Sequence, residues 1–225
     1  MSKPNAENRQ DARQAAVSSM KQTLILDAAR AIFESDGIEG ASIRAIAKRA
    51  GYTPGAIYFH FASKEDIYAA LLDQSLDRAI AAVHDDFPED APAMQRMHLA
   101  GKRIFDFYAD NPGELDLGFY LFRGGMKPHG LGRDRDRALN GKFLRALQPF
   151  KSALTDFGYP DVDADAETAG FFAHVSGLLL LKQTGRLRLF DTDVQTRITA
   201  YLDELEQRAV RAVAVRAWTE NHEGP

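Results

Sequence analysis

The segment from residue 42 to residue 64 constrains the fold more than any other part of this chain. It contains two short stretches with apolar residues at helical spacing, separated by Gly51. Ser42 is a favourable cap for the first stretch, and Thr53 followed by Pro54 is a favourable start for the second. The segment therefore predicts two short helices joined by a tight turn, which is the helix-turn-helix unit.

The same segment concentrates positive charge. It holds Arg44, Lys48, Arg49 and Lys64 and no Asp or Glu, in a chain of net charge −4 and pI about 5.9. Residues 1–68 carry 9 Lys or Arg against 8 Asp or Glu, and the remainder carries 19 against 24. Because neutralised phosphates supply most of the affinity of DNA-binding proteins, a small neutral-to-basic head on an acidic body is compatible with a nucleic-acid partner.

Helical spacing continues through the rest of the chain, and no run alternates with period two. We expect an all-α protein of about nine helices, with a three-helix helix-turn-helix DNA-binding domain followed by a larger helical domain. The first helix is predicted from about Met20 and ends near Gly37 and Gly40, and the fourth ends near Asp85. Arg123 to Gly132 is predicted to be a flexible loop. Further helices are predicted at about 92–110, 113–122, 135–157, 163–183 and 192–218. The predicted domains are a flexible or partly helical arm (1–19), the helix-turn-helix domain (20–66) and the regulatory domain (67–225).

Composition excludes several classes of function. The chain has no cysteine, so disulfides, thiol catalysis and cysteine-type zinc sites are excluded. His98, His129 and His174 show no helical i, i+4 pairing, so we expect no metal, and no cofactor. No catalytic constellation or phosphate-binding glycine loop is recognisable, so we expect no enzyme. We expect a cytoplasmic protein without a membrane span or a signal peptide.

The first 65 residues resemble the amino-terminal domain of the tetracycline-repressor (TetR) family of bacterial transcription factors. The resemblance covers about 50 residues at fixed spacing. The matching residues are Ile25, Leu26, Ala28, Ala29, Phe33, Gly37, Ser42, Ile46, Ala47, Ala50, Gly51, Tyr52, Thr53, Gly55, Ile57, Tyr58, His60, Phe61, Lys64 and Glu65.

The resemblance implies that the third helix is a recognition helix in the major groove of DNA. Its first residues, Thr53, Pro54, Gly55 and Ala56, are expected deepest, where small side chains permit close approach and contact with thymine methyl groups. Arg44 is expected on guanine or phosphate. The resemblance and the side-chain chemistry place Thr53, Tyr58, His60 and Lys64 on phosphates. Lys48 is a further backbone contact, whereas Tyr52 is open between DNA contact and turn packing. The arm residues Arg9, Arg13 and Lys21 are open between DNA contact and plain solvation.

The family uses its larger domain to dimerise and to bind a small ligand. Two helix-length segments near the C-terminus are expected to pair with their twofold copies, although burial within one subunit is the alternative. The predicted interface residues are Phe172, His174, Ser176, Gly177, Leu180, Tyr201, Leu202, Leu205 and Ala209. Large rings beside glycine-rich backbone suggest an apolar effector pocket, with plain core as the alternative. The predicted pocket residues are Phe105, Tyr108, Phe119, Phe122, Arg123, Phe143 and Phe172.

The resulting hypothesis is a homodimeric, sequence-specific repressor that leaves a palindromic DNA operator when an effector binds. The alternative is an architectural or division-linked DNA-binding protein of the same fold that needs no ligand. Many bound sites across a genome would favour that alternative.

Overall fold

The computed structural model describes residues 6–123 and 131–222, and in these ranges the backbone is helical with no strand. The predicted all-α class is confirmed. A short 3₁₀ segment, Arg186–Phe190, precedes the last helix and was not predicted. The helices are α1 Ala6–Gly40, α2 Ile43–Ala50, α3 Pro54–His60, α4 Lys64–His84, α5 Ala93–Asp110, α6 Pro112–Arg123, α7 Arg133–Phe157, α8 Asp161–Gln183 and α9 Val194–His222.

The first helix begins earlier than predicted. It starts at Ala6 rather than near Met20 and ends at Gly40, with non-helical angles at Gly37 (φ 66°, ψ 171°). Residues 6–19 are rich in Ala, Gln and Arg, which favour helix without needing an apolar stripe. The prediction relied on apolar spacing and therefore missed this stretch. The arm was predicted to be either flexible or partly helical. Residues 6–19 are helical, and the flexibility of the arm stays a prediction.

The chain divides into two compact units, Met1–Gln74 with Leu117–Arg137, and Ser75–Asp116 with Ala138–Pro225. The boundaries fall inside α4, α6 and α7, so these three helices contribute to both units. The predicted boundary between residues 66 and 67 separates a DNA-binding domain from a regulatory domain. The compact units do not test a boundary of that kind, so it stays a prediction. The loop predicted from Arg123 to Gly132 lies mostly outside the described residues.

In the first unit α1 packs against α2, and α2 packs against α3. Ile25 and Ala29 of α1, Ile46 of α2 and Ile57 of α3 are buried at or near complete exclusion from solvent. Burying one such branched side chain contributes about 1.5–3 kcal/mol. Apolar residues at three- and four-residue spacing on α2 therefore fix which of its faces points outward.

The second unit has a core in which α5, α8 and α9 meet. Phe150 and Phe171 are fully buried and stack with ring centroids 4.2 Å apart. Gly101 of α5 permits close approach, because a Cβ atom there would lie 2.8 Å from Cδ2 of Leu202 on α9. In the part of the chain that the structure describes, no helix is both long and apolar enough to cross a membrane.

Candidate nucleic-acid interface

The second helix is capped at both ends by the residues the sequence indicated. Ser42 has extended backbone angles, and its Oγ accepts a hydrogen bond from the amide of Ala45 at 3.1 Å. At the other end Gly51 adopts the left-handed conformation (φ 74°, ψ 26°), and the amide of Tyr52 donates to the carbonyl of Ala47 at 2.9 Å. A glycine suits this position because side chains disfavour positive φ. The turn between the helices is thereby fixed.

The third helix starts immediately after this turn. Thr53 Oγ1 accepts a hydrogen bond from the amide of Ala56 at 3.3 Å, and Pro54 occupies the first helical position. The capping bond uses an acceptor lone pair of Thr53, so its hydroxyl proton stays available to donate elsewhere. Pro54 and Gly55 are exposed and Ala56 is half-buried. The amino end of α3 therefore presents small side chains and backbone to the surroundings, and its place in the major groove stays a prediction.

Five exposed polar side chains on α2, on α3 and at the cap of α3 form what we call the basic face: Arg44, Lys48, Arg49, Thr53 and Tyr58. None of its three cations forms an ion pair with any residue that the structure describes. Arg44 lies in the first turn of α2, which contains no acidic residue. A cation near the positive end of a helix dipole is unfavourable by about 0.3–1 kcal/mol unless an external anion faces it. The basic face is therefore set up for a polyanion.

The remaining predicted contacts lie at the edges of this face. His60 ends α3, and Lys64 begins α4, where both side chains are half-buried. Ser63 Oγ accepts a hydrogen bond from the amide of Asp66 at 3.1 Å, which confirms Ser63 as the cap of α4. In the predicted capping box the carboxylate of Asp66 would also accept a hydrogen bond from the amide of Ser63. It accepts one from the amide of Ala62 instead, at 3.0 Å. Tyr52 is half-buried, which leaves both of its predicted roles open.

Sequence reasoning missed Phe59. Its side chain is 83% exposed, more than any other large apolar side chain described, and it follows Tyr58, which is 57% exposed. The ring meets His60 edge-on with centroids 5.2 Å apart. A cavity of about 170 Å³ beside it is lined by Lys21, Ile25, Tyr52, Ala56, Phe59 and His60. The four-residue spacing from exposed Gly55 was the available signal, since it puts Phe59 on the outer face of α3.

Three of the predicted pocket residues come together in the second unit. Phe172 meets Phe143 edge-on at 4.7 Å and Tyr108 at 6.1 Å between ring centroids. Burial, and after it the negative charge of Glu114, raises the pKa of Tyr108 to about 12, so its hydroxyl stays protonated. Phe105 is fully buried and belongs to the core. The side chains of Phe119, Phe122 and Arg123 lie outside the described residues.

The predicted interface residues divide between surface and interior. Leu202, Leu205 and Ala209 are 3%, 0% and 0% exposed, so their side chains have no surface left for a second copy. For these three the alternative of burial within one subunit is correct, because the apolar stripe of α9 packs on α5 and α8. Gly177 and Leu180 are exposed on α8. The side chains of Phe172, His174, Ser176 and Tyr201 are half-buried, and His174 stacks on Tyr201 at 4.1 Å.

Residues of the first unit are similar in sequence to known proteins. The sequence model of the family described as "Bacterial regulatory proteins, tetR family" matches residues 25–71. The HTH-type transcriptional regulator UidR of Escherichia coli (strain K12) is 45% identical over 60 residues, which are 27% of this chain and 31% of UidR. The A-factor receptor protein of Streptomyces griseus is 52% identical over 80 residues, 36% of this chain and 27% of that protein. Both matches thus span less than a third of the relative's length.

The fold extends the likeness over most of the chain. The crystal structure of the transcriptional regulator FadR from Bacillus subtilis, in complex with stearoyl-CoA, aligns with a TM-score of 0.61. The alignment covers 80% of this chain and 95% of FadR at 20% sequence identity. At this identity the likeness concerns the arrangement of helices: a helix-turn-helix domain followed by a larger helical domain.

Proposed function

We propose that this chain, whose amino-terminal domain belongs to the tetR family of bacterial regulatory proteins, is a sequence-specific DNA-binding transcriptional regulator. The observation that carries the proposal is the basic face, with three cations unpaired among the described residues and no acid within it. The amino end of α3 enters the major groove, where Pro54, Gly55 and Ala56 allow the backbone to come close to the base edges.

The contacts divide by chemistry. Thr53, Tyr58, His60 and Lys64 bind phosphates, since hydroxyl, imidazole and ammonium groups all donate to phosphate oxygens. Lys64 does so at the amino end of α4, where the helix dipole also favours an anion. Arg44 binds guanine or phosphate, and Lys48 binds the backbone. These groups position the protein on DNA and supply most of the salt-dependent affinity.

A homodimer would present two recognition helices to a palindromic operator, about 34–36 Å apart or at a multiple of that spacing. An exposed face of small residues on α8, formed by Ala169, Ala173 and Gly177 and ending at Leu180, supports this arrangement. A Cβ atom built on Gly177 would meet nothing within 4 Å, so this face has room for a second helix. On α9 the contribution comes from the exposed side, which carries Val210, Val215 and Trp218.

The second unit senses a small-molecule effector at the aromatic cluster of Tyr108, Phe143 and Phe172. Edge-on rings and a protonated hydroxyl suit an apolar ligand with one hydrogen-bonding group. FadR, which shares the fold, was solved with an acyl-CoA bound. The effector releases the operator only to the extent that it binds the DNA-incompetent state better, and a near-complete switch requires about 5.5 kcal/mol of differential affinity.

The change reaches DNA through α4, which begins at Lys64 in the first unit and ends at His84 in the second. On this helix Tyr68 donates to the carbonyl of Leu117 of α6 at 2.5 Å, and Arg78 pairs with Glu114 of α6 at 2.5 Å. A ligand that shifts α6 would therefore act on α4 at two points ten residues apart.

Selection from a random duplex library, followed by fluorescence anisotropy on the selected sequence, tests the proposed function. We expect one palindromic consensus bound in the nanomolar range, far more tightly than random DNA. A library that yields no enriched sequence would contradict it. Footprinting of bound genomic DNA then separates a local regulator, with few sites, from an architectural protein with many.

A further inference from the structure

The outward face of α3 is unusually apolar for a surface that reads bases. The helix sequence Pro54–His60 contains no amide, guanidinium, ammonium or carboxylate side chain. Such groups make the hydrogen bonds that distinguish guanine, adenine and cytosine in the major groove. The exposed positions are instead Pro54, Gly55, Tyr58 and Phe59. If α3 selects bases, most of its selection has to come from apolar contact.

Phe59 is the side chain placed to make such a contact. Its side chain is 83% exposed, and its ring meets the ring of His60 edge-on. The ring also lines the 170 Å³ cavity together with Lys21, whose side chain carries an ammonium group, and His60, whose side chain carries an imidazole. A backbone phosphate held by these two groups would bring the neighbouring nucleotide against the ring. The one apolar group on base edges in the major groove is the C5-methyl of thymine.

We propose that Phe59 selects thymine in each operator half-site by packing its ring on the C5-methyl group, with Lys21 and His60 holding the adjacent backbone phosphate. This inference rests on the proposed function and adds to it a base identity and the residue that reads it. The operator then contains an A·T pair at the position that faces Phe59.

Replacement of thymine by deoxyuridine tests this directly, because it removes only the methyl group. The selected duplex is prepared with one thymine of each half-site replaced at a time, and binding is measured for the intact chain and for Phe59→Ala. Phe190→Ala is the matched control, since Phe190 is also strongly exposed but lies in the 3₁₀ segment. Circular dichroism checks that all three proteins are folded.

At one position we expect deoxyuridine to weaken binding of the unmodified chain and of Phe190→Ala by about fourfold per half-site, the value of one buried methyl group. In Phe59→Ala the same replacement is expected to change nothing, because the methyl and the ring act as a pair. If all the deoxyuridine duplexes bind as tightly as the selected one, or if the loss persists in Phe59→Ala, the inference is wrong while DNA binding stands. Failure to bind any duplex would overturn the proposed function itself, and the inference with it.

Discussion

The basic face and the second unit differ in whether their cations form ion pairs with acidic side chains. In the second unit several cations are paired with the chain's own acids, as in Arg96 with Asp156 at 2.7 Å and Lys151 with Asp165 at 2.8 Å. On the basic face, Arg44, Lys48 and Arg49 make no such pair among the described residues. Exposed ion pairs stabilise a protein little, at about 0–1 kcal/mol each. Leaving the cations unpaired therefore costs the fold little and keeps them available for phosphates.

Apolar side chains follow the same division. Phe150 and Phe171 are buried and stacked, whereas Tyr58 and Phe59 stand in solvent. Substitutions in the two regions should consequently separate stability from DNA affinity.

The largest expected effect is on the stability of the second unit. Phe150→Ala removes a ring that is fully buried and stacked on Phe171, so we expect a loss of about 3–5 kcal/mol in the free energy of unfolding. Urea denaturation followed by circular dichroism measures it. Phe59→Ala is the control, and its stability should stay within about 0.5 kcal/mol of the starting protein. Equal losses for both variants would erase the distinction between the two regions.

The next largest effect is on DNA binding. Tyr58→Phe combined with Lys64→Gln removes two phosphate contacts, each a hydrogen bond to a charged group that contributes about 1.5–3 kcal/mol. We expect affinity for the selected duplex to fall by at least about two orders of magnitude. Anisotropy titration gives the affinity, and Lys102→Gln is the control, because Lys102 is an exposed lysine paired with Asp106 in the second unit. Undiminished binding by the double variant would refute the assignment of these contacts.

Helix caps and helix bounds are the features of this fold that the sequence alone predicted best. The caps at Ser42, Thr53 and Ser63 and the left-handed Gly51 were readable, because each depends on local hydrogen bonds and backbone angles. Most helix bounds after residue 42 followed from apolar spacing and breaks at proline. Local chemistry is what a single sequence specifies best.

What depends on packing between distant elements was not readable. Leu202, Leu205 and Ala209 form an apolar stripe that suits an interface or a core equally well, and only their burial against α5 and α8 decides. Phe59 is an apolar residue of a type common in protein cores, and its exposure follows from the way α3 packs on α2. The long first helix lacks an apolar stripe over residues 6–19, so periodicity gave no signal there.

A smaller effect is expected at the turn that joins α2 and α3. Gly51→Ala puts a side chain at φ 74°, although nothing lies within 4 Å of the added Cβ. The cost is therefore conformational alone, about 1–2 kcal/mol. Thermal unfolding measures the stability. The control is Gly141→Ala, at an exposed position of α7 with nothing within 4 Å of the added Cβ, and it should be neutral or stabilising. A Gly51 variant as stable as the Gly141 variant would mean that the turn tolerates another geometry.

The smallest effect concerns pH. Burial, and after it the positive charge of Arg197, lowers the pKa of His174 from its ordinary value of 6.5. A lowered pKa in the folded state means that the neutral imidazole stabilises the fold above pH 6.5, and this contribution is lost as the pH falls through the lowered value. We expect the melting temperature of the chain to fall between pH 7 and pH 5 more than that of His174→Gln. Parallel pH profiles would remove His174 as the titrating group.

The central claim is that the basic face binds DNA phosphates with cations that have no acidic partner in residues 6–123 and 131–222. Affinity for the selected duplex, measured between 50 and 200 mM salt, tests it most directly, because each neutralised phosphate adds about −0.9 to the slope of log K against log salt. We predict a steep negative slope that becomes shallower by about 1 per DNA-bound head when Lys48 is replaced by glutamine, and unchanged in Lys102→Gln. A slope near zero, or one that the Lys48 substitution leaves intact, would contradict the account.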